Sequence, residues 1–119
     1  MGDGAESMAP WQMPLTEWEQ YARVGKMVPA TGTYSSQEKE LERRDRAGEY
    51  VTPIQYGEAA GYCLHDIAHF YLQFFTTHHG DTSEAVRGAY RHFLKHAVKS
   101  GKNVPPDVLR NAGLGHLAL

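Results

Sequence analysis

The stretch TPIQYGEAAGYCLHDIAHFYLQFFTT, residues 52–77, decides the fold. Thr52 supplies a helix cap, Pro53 the first helical position and Gln55 the third, and a long apolar-periodic run follows. The spacing predicts one helix reaching Thr76 or Thr77. At 100° per residue, Ala60, Cys63, Leu64, Ile67, Phe70, Tyr71, Phe74 and Phe75 share one broad face, which is the expected core. Gly57 and Gly61 weaken the first two turns, so close packing against another helix is expected where they lie.

Downstream, His78-His79-Gly80-Asp81 reads as a turn, and Asp81 with Glu84 caps a further helix running to about Ser100. Its apolar face is Val86, Ala89, Tyr90, Phe93 and Ala97. Gly101 stops it, and Pro105-Pro106 starts a short helix through about Asn111. Upstream, Thr16 with Glu19 and Ser35 with Glu38 are capping boxes. The first opens a helix ended by Gly25-Lys26 and Val28-Pro29; the second opens a short one to about Ala47 whose single large apolar residue is Leu41. Ala30 to Ser36 reads as a loop. Gly25-Lys26-Met27-Val28-Pro29 and Gly101-Lys102-Asn103-Val104-Pro105 read as the same stop chemistry used twice. No segment alternates like a strand, so the expectation is an all-α domain built on an antiparallel helical hairpin with shorter flanking helices. Residues 1–10, small and acidic, read as a disordered leader, and 11–119 as a single helical domain.

The composition agrees with one globular domain: 119 residues, 41% apolar and 22% charged. No apolar run approaches the 18 or so residues of a membrane span, and the first residues lack the basic start and apolar stretch of a signal peptide, so a cytoplasmic protein is expected. Cys63 stands alone, which excludes internal disulfides and a thiolate-rich zinc site. The net charge of −2 is a cancellation. Residues 1–84 carry six basic and thirteen acidic side chains, and residues 85–119 carry six basic and one acidic, giving −7 and +5.

Arg87, Arg91, Lys95 and Lys99 fall at four-residue spacing, forming one stripe opposite the apolar face of their helix, with Lys102 just beyond. The stripe extends over about 18 Å, the scale of a polyphosphate backbone or an acidic protein surface. Nucleic acid or an acidic protein is therefore the expected partner. Histidines form the second pattern: His65 with His69 and His92 with His96 stand at the spacing that lets two imidazoles share a metal such as zinc. A hairpin turning near residue 79 puts His92 level with residue 67, between His65 and His69. The four imidazoles meet only if the helix bearing His65 packs on both sides; with Asp66, which lies in one polar stripe with Tyr62, His65 and His69, the candidate metal ligands are His65, Asp66, His69 and His92.

Leu64-His65-Asp66-Ile67-Ala68-His69 resembles the central motif of the HD-domain phosphohydrolases, whose adjacent His and Asp hold a divalent metal on a helix. The resemblance implies a metal-dependent phosphohydrolase using helix-borne histidines. No histidine precedes His65 to match that family's earlier ligand, and Asp81 and Asp107, the downstream aspartates, fall in a turn and at a helix start. The segment His96 to Leu109, with Gly101-Lys102-Asn103-Val104-Pro105-Pro106-Asp107-Val108-Leu109, is similar to a short segment of large polyvalent proteins of phages and plasmids. It implies a mobile-element origin and carries no activity. Together these readings describe a small non-enzymatic binding or accessory protein acting through a basic helix, with the phosphohydrolase as the competing class.

Overall fold

The structure, a computed structural model, describes residues 8–27 and 35–118. Six α-helices make up the chain there: α1 Leu15–Val24, α2 Ser36–Arg46, α3 Pro53–Ala59, α4 Leu64–His79, α5 Ser83–Lys99 and α6 Pro106–Asn111. Short 3₁₀ turns lie at Pro10–Gln12 and Gly115–Leu117, and no strand occurs among the described residues. The all-α expectation holds. The fold takes in Pro10, which is buried although the sequence reading placed it in the leader. Residues 1–7, and the Val28-Pro29 stop with most of the loop after it, lie outside the described residues.

α4 and α5 run antiparallel: Phe75 sits beside Gly88 and His92, while Tyr71 sits beside His92, Phe93 and His96. α1 packs across both, its Trp18 fully buried with ring centroids 5.5 Å from Tyr90 and from Phe93. The expected face of α5 is buried as read: Val86, Ala89, Tyr90, Phe93 and Ala97 all belong to the core. Tyr90 also ties down the N-terminal turn, its hydroxyl donating to the Met13 carbonyl at 2.6 Å.

The single helix expected over residues 52–77 is two. Thr52 and Gln55 form the capping box as read, but Gly61 adopts φ 85°, where a side chain is strained and glycine is not. The Tyr62 amide then bonds back to Gly57 O and the Gly61 amide to Glu58 O, a Schellman stop, and α4 restarts after Cys63. Gly57 packs closely as expected, yet against Ile67 of α4, where a Cβ would lie 2.7 Å from the Ile67 side chain. The break and the two-sided packing of α4, by α5 and by α1, turn its buried arc. Ile67, Ala68, Tyr71 and Leu72 are buried, while Cys63, Phe70 and Phe74 of the expected core are exposed.

Caps differ in detail. α1 begins at Leu15 behind Pro14 with no side-chain cap, so Thr16 lies within its first turn. Thr82, not Asp81, caps α5, accepting from the Ala85 amide at 3.1 Å, and Asp81 is drawn off to Arg23 of α1. The twin stops are two devices. Gly101 has φ 81° and closes α5 by a Schellman motif through Lys102 N to Ala97 O, whereas Gly25 is extended, at φ −70°. Gly25 is required by proximity: a Cβ there would lie 2.1 Å from the His65 carbonyl oxygen. Gly25→Ala must therefore part α1 from α4, and a loss of about 2 kcal/mol is expected by urea denaturation, as for other overpacked sites. A midpoint equal to wild type contradicts that packing.

Candidate functional site

Two sets of side chains carry the chemistry read from the sequence, and the fold treats them differently. The histidines of α4 face α1. His65 stacks on Tyr21 with centroids 3.7 Å apart, His69 Nδ1 hydrogen-bonds the Ala22 carbonyl at 3.0 Å, and Asp66 accepts the Lys26 amide at 2.8 Å. The histidines of α5 lie on the other side of α4. The register is also shifted, because His92 stands beside Tyr71 and Phe75 rather than level with residue 67. Two-sided packing of α4 thus separates the pairs it was expected to join. His65, Asp66, His69 and His92 do not converge, and among the described residues no three His, Cys, Asp or Glu side chains gather to hold one ion. The donor set does not fit the divalent metal implied by the phosphohydrolase resemblance.

His96 has a different role. It is 6% exposed, and both ring nitrogens are bonded to tyrosine hydroxyls: Nδ1 to Tyr71 at 2.7 Å and Nε2 to Tyr50 at 2.9 Å. A neutral imidazole meets both, one nitrogen donating and one accepting. Burial, then the neighbouring His92, Lys99 and Lys95, pushes its pKa down to about 4. His92 is also lowered, by burial and by Lys95. Burial raises the Tyr71 hydroxyl far above its ordinary range, so it stays protonated.

The basic stripe sits where the sequence placed it. Arg87, Arg91, Lys95 and Lys99 are all exposed on α5, opposite the buried arc. Four-residue steps advance 40° on a 100° wheel, so the row winds around the helix as it rises about 18 Å. None of the four has a carboxylate within ion-pair reach among the described residues, and Glu84, the one acid on α5, pairs with none of them. Every arginine outside α5 is treated otherwise: Arg23 pairs with Glu19 and Asp81, Arg43 with Glu40, Arg44 with Glu49, Arg46 with Glu42 and Arg110 with Asp107. Lys102, expected as a fifth member, is withdrawn. Its ammonium meets Glu58 at 2.8 Å and lies over the Trp11 ring at 5.1 Å. Lys26 and Lys39 are the other cations without an ion pair among the described residues; Lys39 stands one turn before Arg43 on α2, but Arg43 is paired with Glu40, so neither continues a row of unpaired cations.

Sequence reasoning missed Tyr50. It lies between α2 and α3, on no helix, and nothing in the local sequence points it towards α5. The structure sets it against the C-terminal end of the row, with Lys99 Nζ 5.6 Å from the ring centroid. A separate cavity of about 330 Å³ opens beside Met27, Tyr56, Tyr62, Ile67 and the exposed Phe70. Its Asp66 carboxylate already accepts the Lys26 amide. No helix among the described residues is long and apolar enough to cross a membrane. No protein-family model, curated protein or solved structure matches the chain.

Proposed function

We propose that this chain is a non-enzymatic binding module that holds an anionic polymer, nucleic acid before acidic protein, along the exposed face of α5. One observation carries the reading: the fold pairs each arginine elsewhere with a carboxylate yet leaves Arg87, Arg91, Lys95 and Lys99, in a single row, without an ion pair among the described residues. Such a row costs stability. Like charges at four-residue spacing on a helix destabilise it by about 0.2–0.5 kcal/mol per pair, and there are three such pairs here. Lys99 recovers part of that cost in the last turn of α5 and over the Tyr50 ring, and a polyanion laid along the row would offset the rest by releasing its counterions. The C-terminal likeness to phage and plasmid polyvalent proteins suits an accessory protein of a mobile element.

Fluorescence polarisation at low salt with labelled oligonucleotides and with polyglutamate tests the reading. Oligonucleotide binding is expected, with log K falling against log salt at a slope of about −3 to −4 for four phosphate contacts. Preference for polyglutamate would move the assignment to an acidic protein partner, and indifference to every polyanion at low salt would overturn it.

A further inference from the structure

We infer that the α5 row receives single-stranded nucleic acid in particular, with one base stacked on the Tyr50 ring where the row ends. The inference rests on the α5 reading and names the ligand of that same surface. A row of cations alone holds phosphates without distinguishing a duplex from a single strand. What distinguishes them is an aromatic face placed to take an unpaired base, because bases in a duplex are already stacked on one another.

Tyr50 meets that requirement in four respects. It is 57% exposed, so its ring is open to a base arriving from solvent. It is held in place: its hydroxyl is bonded to the buried His96 at 2.9 Å, its ring meets that imidazole edge-on at 5.6 Å, and the next two residues, Val51 and Thr52, are buried. A platform ordered beforehand loses little freedom on binding. Its location matches the winding of the row, which advances from Arg87 round the helix to Lys99, the residue whose ammonium lies over the Tyr50 ring. Finally, the carboxylate next to it is neutralised, since Glu49 is ion-paired with Arg44 at 3.0 Å. A strand whose phosphates follow Arg87, Arg91 and Lys95 would bring its next base to this ring, with Lys99 beside both the phosphate and the π-face.

The test uses the full chain and two labelled probes, an oligothymidylate of about 15 nucleotides and a duplex of equal length. Wild type is expected to bind the single strand more tightly than the duplex. Tyr50→Leu should weaken single-strand binding about tenfold, the effect of one lost stacked base, and leave duplex binding within about twofold. Tyr50→Phe removes the same hydroxyl but keeps the ring, so it should stay within about twofold of wild type for both probes; any damage that follows from the lost His96 bond would appear in both variants. Equal single-strand affinity for wild type and Tyr50→Leu would overturn the stacking site while leaving the α5 row in place. Absence of binding to both probes would instead overturn the α5 reading beneath it.

Discussion

Reversing the middle of the row, Arg91→Glu with Lys95→Glu, is expected to weaken oligonucleotide binding by about a hundredfold or more and to flatten its salt dependence. Each cation that meets a phosphate contributes about −0.7 to −0.9 to the slope of log K against log salt. Removing two of the four cations halves the slope, from about −3 to about −1.5, and the two new carboxylates add repulsion. A hundredfold corresponds to about 2.7 kcal/mol, a fair sum for two missing phosphate attractions and two added repulsions. Both side chains are exposed, so the fold should survive, and removing like-charge neighbours should leave the urea midpoint unchanged or slightly raised. The matching reversal on α2, Arg43→Glu with Arg44→Glu, changes net charge equally but breaks only internal ion pairs. Its expected effect on binding is a few-fold at most, and equal losses of affinity in the two double variants would show that net charge, not the α5 row, governs binding.

The second large effect is acid sensitivity well above the ordinary carboxylate range. His96 is neutral in the fold, with its pKa near 4 against 6.5 for the free side chain. As pH falls through 6.5 the unfolded chain takes up a proton that the folded chain refuses until about pH 4. Stability is therefore undiminished above pH 6.5 and declines across that window, by about 3 kcal/mol when complete. The groups around the ring are Tyr50 from the α2–α3 connection, Tyr71 from α4, and His92, Lys95 and Lys99 from α5; none supplies a negative charge to hold an imidazolium. Urea midpoints at pH 7.5, 6, 5 and 4.5 should fall steadily for wild type. His96→Gln keeps a partner for one tyrosine, so it should start lower at pH 7.5 and show a much flatter profile. A wild-type midpoint independent of pH over this range would contradict a neutral, buried His96.

The parts of this molecule that the sequence made legible are those where one local rule acts without competition. α5 shows this: its apolar side chains recur with helical period, its cations fall on the opposite side, and both faces are found as read. α2 and α6 likewise follow from a capping box and a proline start. Legibility failed where one residue type serves two purposes. Gly61 weakens a helix and also ends one at positive φ, and Cys63, which precedes α4, offers no capping side chain to mark the restart. Asp81 and Thr82 are adjacent capping residues, and a distant arginine decides between them. Gly25 and Gly101 look alike in sequence because neither the His65 carbonyl nor the sign of φ is written nearby.

The candidate sites divide in the same way. Spacing showed that His65 and His69 share a side of one helix, but not that Tyr21 and Ala22 would occupy that side before any ion could. The row on α5 needed only helical geometry to be found. Its meaning, four cations without carboxylate partners among the described residues in a chain that pairs its other arginines, depends on pairings between side chains that spacing on one helix does not reveal. Tyr50 depends on distant segments entirely, since its partners, His96 and Lys99, lie more than forty residues away.

The most direct test is a map of the binding surface: amide chemical-shift changes in the ¹⁵N-labelled chain as an oligothymidylate is titrated in at low salt. The expected result is a continuous footprint over Arg87, Arg91, Lys95 and Lys99 that ends at Tyr50, with α2 and the α1–α4 packing around His65 unmoved. Shifts centred on α2 or around His65, or none at all at saturating oligonucleotide, would contradict the assignment of α5 as the binding face.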